Sequence, residues 1–286
     1  MRLLATCMAL ASLAACSSTR VSVQPAPVWP FQQLRISFAR DGALTAYYSR
    51  PESAPARLFV VVQDPPCYGA APAPRVSTSG VLWKQLHADF AFVQFESVGV
   101  RSSDTPQVDA PCSGSAANSP SPDQWSRDIA RSVAAIKRHE GLRELPTIYL
   151  GIGEGAMPAA NAAARDPSTS LLVLLNGLHP DIPKSAKRIP ILIVHASADA
   201  RAPVEEARLL FSRLAAGRNH VAMLILQGLD HDLGLTTGRP ECFDASMQQI
   251  VARMRLMMRA ELPLRMESSD CERALAEFPE KDAEGG

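Results

Sequence analysis

The chain has 286 residues, 47% of them hydrophobic, and its 29 Lys plus Arg balance 29 Asp plus Glu, so the formal net charge is zero. No basic excess is available to neutralise phosphates, which speaks against nucleic acid as a partner. The apolar content suffices for one large domain with a substantial core.

The chain opens "MRLLATCMALASLAACSSTR". Arg2 is a minimal positive region, and Leu3 to Leu13 form an apolar stretch too short to span a bilayer. Leu13-Ala14-Ala15-Cys16 resembles a bacterial lipobox, which implies cleavage before Cys16 and lipidation of its thiol; a plain secretory signal with a chance Cys is the alternative. Several acyl chains on one residue anchor firmly. Ser17, rather than Asp, follows the Cys, and by resemblance to Gram-negative sorting this implies an outer-membrane lipoprotein facing the periplasm. The expected organisation is a signal peptide over 1–15, a lipidated Cys and tether over 16–30, a folded domain over 31–262 and an acidic tail over 263–286. Nothing after residue 16 is apolar for long enough to cross a membrane.

Cys7 leaves with the signal. Cys67, Cys112, Cys242 and Cys271 remain, an even number in an oxidising compartment, so two disulfides are expected. Of three connectivities we favour Cys67 with Cys112, tying two loops at one sheet edge, and Cys242 with Cys271, pinning the tail. No two of these Cys have zinc-ligand spacing, and neither a metal nor a cofactor is expected.

In chain order, "LRISFA", "LTAYYS" and "RLFVVVQ" read as strands, the last ending at Gln63. A Pro-rich loop, a helix in "GVLWKQLHAD" and a strand "FAFVQFES" follow. Residues 109–123 are Pro/Ser/Ala-rich and read as a loop ended by Asp123 as helix cap. In the helix "QWSRDIARSVAAIKRHE", Trp125, Ile129, Val133 and Ile136 share one face. "TIYLGIG", "SLLVLLNG", "PILIVHAS" and "HVAMLILQG" then alternate with helices, including one from Pro203 to Gly217 and a last one, "DASMQQIVARMRLMMRA". Its Met254 to Met258 read as an apolar helix face, and Trp83 and Trp125 as core. Continuous apolar strands separated by helices predict an α/β fold with a mainly parallel sheet of about eight strands, covered on both faces. The tail from Glu267 onward reads as loose beyond its disulfide.

"GIGEGA", Gly151 to Ala156, places a Gly-flanked turn between strand and helix. That is the setting of the nucleophile elbow, G-x-S-x-G, but the central residue here is Gly153. Taken alone, the pattern also fits an ordinary turn. Asp199 follows "ILIVHAS", and His231 follows "LILQG" within "LDHDL". The order elbow, acid, histidine at successive strand ends resembles the α/β-hydrolase fold over about Arg57 to Arg259. "VHASADARAPVEEA" is its most specific part, a strand, a loop with Asp, a Pro and a helix. No long insertion separates "LLNG" from "PILIV", which leaves little room for a separate cap domain, and none is expected.

That resemblance implies that Asp199 orients His231, and that His231 would deprotonate a hydroxyl at position 153. The hydroxyl is absent. Glu154 is next in the elbow, its side chain pointing away from the pocket in the usual geometry, and Ser102 and Ser103 follow an earlier strand without marks of activation. The oxyanion loop, Gly-rich in hydrolases of this kind, is here Gln63-Asp64-Pro65-Pro66-Cys67. Two prolines have no N–H to give, and Asp64 adds a carboxylate where negative charge would develop. One lost donor costs roughly 100- to 1,000-fold in rate. The expectation is a retired site: a non-catalytic lipoprotein that holds a small or lipid-like ligand or docks an envelope protein. The alternative is an esterase, lipase or peptidase using His231 and Asp199 with another nucleophile, or with water. His87, His139, His179, His195 and His220 show no ligand-like spacing and read as surface or packing residues.

Overall fold

A computed structural model describes residues 19–24, 31–38, 43–63, 78–95, 121–177, 182–183, 186–217, 220–231, 233, 240–259 and 265–277. Cys16, Asp64, Cys67, Ser102, Ser103 and Cys112 lie outside the described residues.

Ten strands form one sheet in the order β1-β2-β3-β5-β4-β6-β7-β8-β9-β10. The strands are β1 (Arg20–Gln24), β2 (Gln32–Ser37), β3 (Ala43–Ser49), β4 (Arg57–Val62), β5 (Phe90–Phe95), β6 (Thr147–Ile152), β7 (Thr169–Leu175), β8 (Ile191–Ala196), β9 (Val221–Leu226) and β10 (Arg265–Ser269). Pairing is antiparallel from β1 to the β3–β5 contact and parallel from β5 through β10. The helices are α1 (Thr78–Leu86), α2 (Pro122–His139), α3 (Ala156–Arg165), α4 (Val204–Ala216), α5 (Pro240–Met258) and α6 (Cys271–Glu277).

Successive strand residues point to opposite faces, so an all-apolar strand demands cover on both sides. Tyr149 of β6 packs in one core with Ile129 and Val133 of α2, Ala159 of α3 and Leu210 of α4. Its neighbours Ile148 and Leu150 pack in the other core with Leu82 of α1 and Met247, Met254 and Met257 of α5. The helical spacing of Trp125, Ile129, Val133 and Ile136 is thus a core stripe, as expected. Trp83 is only partly buried; its Nε1 donates to Ser49 Oγ at 2.7 Å. The stretch from Leu175 to Ile191 is too short for a separate cap domain.

The structure departs from the sequence expectation at both edges of the sheet. Residues 20–24 are not tether but a strand, because Val21 alternates with polar residues and packs on the core while the backbone pairs Arg20 with Ser37. The tail is ordered through Glu277. β10 pairs in parallel with β9, Arg253 Nε donates to Glu267 Oε2 at 2.7 Å, and Cys242 of α5 is bonded to Cys271 of α6. The second favoured disulfide is therefore present, and these two edge strands raise the count from about eight to ten. The cap of α2 also moves. Ser121 Oγ accepts from Gln124 N at 3.2 Å, Pro122 opens the helix with its preset φ, and Asp123 sits in the first turn.

Candidate functional site

The site stands at the carboxyl ends of β6, β8 and β9, all of which run the same way. β6 ends at Ile152 in extended backbone; Gly153 then takes φ +55° and opens a 3₁₀ turn, Gly153–Gly155, that runs into α3. A left-handed residue reverses the chain within one step, and glycine adopts it without a Cβ clash. The flanking glycines serve close approach instead. A Cβ on Gly151 would lie 2.5 Å from Ala156 Cα, and one on Gly155 would run into Val62 O and lie 2.7 Å from Gln63 O. The turn therefore packs directly on the end of β4, at Val62 and Gln63. Glu154 is exposed on the 3₁₀ turn.

The structure brings Asp199 and His231 together. Asp199 follows β8 and its side chain is fully buried; Oδ2 lies 2.8 Å from His231 Nδ1. Oδ1 accepts from the backbone N–H of Arg201 at 2.8 Å and of Ala202 at 3.0 Å. A buried carboxylate is tolerable only with its acceptor sites occupied, and this one has three donors. The bond to the carboxylate puts the His231 proton on Nδ1 and leaves Nε2 as the basic nitrogen. His231 is part-buried in a turn, held by this bond.

Two further residues hold this pair, and sequence reasoning missed both. Asn176, one residue beyond β7 and buried, takes φ +47°. Its Nδ2 donates to His231 O at 2.7 Å and its Oδ1 accepts from Ala196 N at 2.8 Å. The only sequence signal was Asn before Gly at a strand end, since Asn tolerates the left-handed region. His195, expected at the surface or in packing, is fully buried on β8, and its Nε2 donates to Ala202 O at 2.8 Å. Burial pushes the His195 pKa below its ordinary value, partly opposed by that bond to Ala202 and by the nearby Asp199 charge.

Among the described residues no group of His, Cys, Asp and Glu could hold a metal ion, and no helix is long and apolar enough to cross a membrane.

The fold, a mainly parallel sheet with Gly153 after β6, Asp199 after β8 and His231 after β9, is α/β-hydrolase-like. Solved structures agree. The chain is similar to a Klebsiella pneumoniae protein provisionally assigned as a dienelactone hydrolase, with TM-score 0.56 and 16% identity over 86% of this chain and 100% of that one. It is similar to a thermophilic esterase from Thermogutta terrifontis, with TM-score 0.52 and 13% identity over 84% of this chain and 99% of that one. It also matches an acylaminoacyl peptidase from Pyrococcus horikoshii, with TM-score 0.57 and 14% identity over 92% of this chain but 46% of the peptidase. At such identities the likeness speaks for the fold alone. No protein-family profile and no curated protein matches the sequence.

Proposed function

We propose that this is an outer-membrane lipoprotein, anchored through Cys16 and facing the periplasm, whose α/β-hydrolase site no longer catalyses. Its role is to hold a small or lipid-like ligand in the former pocket or to dock an envelope protein. The observation that carries the reading is position 153. The corner residue has the left-handed backbone of an elbow, φ +55°, and no side chain to attack a carbonyl. The sequence Asp64-Pro65-Pro66, which follows β4, supports it, since two prolines have no N–H to donate and Asp64 adds a negative charge.

One observation favours a second reading. The Asp199–His231 pair is fully assembled, and such a pair can deprotonate water or a hydroxyl supplied from elsewhere in the chain, Ser102 and Ser103 included.

Hydrolysis of short- and medium-chain p-nitrophenyl esters separates the two readings, using protein lacking residues 1–16 beside Gly153→Ser and His231→Ala variants. No turnover by the unsubstituted protein is the expected result. Turnover that disappears in His231→Ala overturns the non-catalytic reading and makes His231 the general base of a hydrolase.

A further inference from the structure

We propose that the corner of the sheet formed by the start of β1, the end of β2 and the start of β3 is the surface that meets the membrane. This inference rests on the lipidation of Cys16 proposed above. β1 begins at Arg20, four residues after Cys16, and there the chain is already paired into the sheet, Arg20 opposite Ser37. Four extended residues reach at most about 14 Å. One headgroup layer of a bilayer is about 5–8 Å thick. With the acyl chains of Cys16 in the hydrocarbon, Arg20 is then held within about 10 Å of the headgroup surface. A tether running to residue 30 would have let the domain tumble away from the membrane; a chain paired from Arg20 onward does not.

The chemistry of the corner suits a phosphate-bearing surface. Arg20 and Ser22 share one face of the sheet with Arg35 and Ser37, since Arg20 pairs with Ser37 and Ser22 with Arg35. Arg20, Ser22 and Arg35 are exposed. The sequences of β1, β2 and β3 contain these two arginines and no Asp or Glu. Guanidinium groups pair with phosphate through fixed forks of N–H donors and are drawn to anionic lipid surfaces.

The register fixes which end of the strands this is. Ser37 pairs with Ala43, and Ala46 with Phe95 at the end of β5. The anchored corner thus lies on the same strand-end rim as Gly153, which sits five strand spacings along it, about 24 Å. The far end of β3, leading to Glu52, is about 20 Å away along the strand.

The test uses full-length acylated protein in vesicles of phosphatidylethanolamine and phosphatidylglycerol that carry a headgroup nitroxide. A fluorophore on Ala43→Cys, at the corner, is compared with one on Glu52→Cys, beyond the far end of β3. The unsubstituted protein is labelled in parallel to subtract any signal from Cys67 and Cys112. The expected result is quenching several-fold stronger at position 43 than at 52, with a smaller ratio once Arg20→Glu and Arg35→Glu are combined. Equal quenching, or stronger quenching at 52, in protein that carries acyl mass on Cys16 and floats with the vesicles overturns the membrane-facing corner and leaves the lipidation reading standing. Absence of acyl mass on Cys16 overturns the lipidation reading and this inference with it.

Discussion

Asn176 and His231, 55 residues apart in sequence, are joined by a side-chain amide that donates to a backbone carbonyl at 2.7 Å. Through its other end Asn176 accepts from Ala196 N, so the loop bearing the histidine is fastened to the end of the strand preceding the acid. Asn176→Asp keeps the acceptor for Ala196 N but sets a carboxylate oxygen against the His231 carbonyl. We expect it to lower the unfolding free energy by about 1–3 kcal/mol. We also expect loss of the low-field Nδ1–H proton resonance of His231, because the ring no longer sits in register with Asp199. Urea titration and proton NMR measure the two effects; a destabilised variant that keeps the resonance would show that Asn176 is structural only.

What the sequence disclosed follows from what is local. β4, β6, β7, β8 and β9 are apolar along nearly their whole length, which only a doubly covered sheet can use, so their presence and mainly parallel direction were readable, while their order in the sheet was not. Asp199 was readable from its own segment, strand, loop, Pro and helix, and His231 from its place at a strand carboxyl end, where such residues converge in this kind of sheet. "RVSVQ" and "RMESS" were not, since each is a strand only by pairing with an edge that the rest of the fold creates. Asn176 was missed because both its partners are remote in sequence. His195 was missed because a single His in an apolar strand gives no hint of the carbonyl it will meet.

Burial holds the pKa of His195 below its ordinary 6.5, so the folded protein takes up a proton there less readily than the unfolded chain. Stability therefore rises with pH between the lowered folded value and 6.5, is flat above 6.5, and falls as pH drops through that window. His195→Gln keeps a donor for Ala202 O and removes the titration. The urea midpoint of this variant should fall less than that of the parent between about pH 7.5 and pH 5. Parallel pH dependence in the two proteins would assign acid sensitivity to other groups.

Cys242 and Cys271 close a loop of 29 residues that contains β10 and ties α6 to α5. Constraint of the unfolded chain by a loop of that size is worth about 3–4 kcal/mol. The double variant Cys242→Ala/Cys271→Ala should lose stability of that order in a urea titration. Its backbone amides in β10 and α6 should also exchange faster than those of β6 to β8. Uniform acceleration of exchange across the sheet would mean that the bridge supports the whole fold rather than its last edge.

Position 153 can be probed without asking for catalysis. A side chain at φ +55° is strained, so Gly153→Ser should cost about 1–2 kcal/mol of stability, offset in part if its hydroxyl donates to His231 Nε2. The double-mutant cycle with His231→Ala isolates that offset. If the elbow still aims position 153 at the histidine, the coupling energy should be about 0.5–1.5 kcal/mol, measured by urea unfolding of the four proteins. Such coupling in a variant that remains inactive on esters would point to the proposed loss of oxyanion donors in the sequence Asp64-Pro65-Pro66. Additive effects would show instead that the turn at Gly153 faces away from His231, and that the two features share a sheet edge without forming one site.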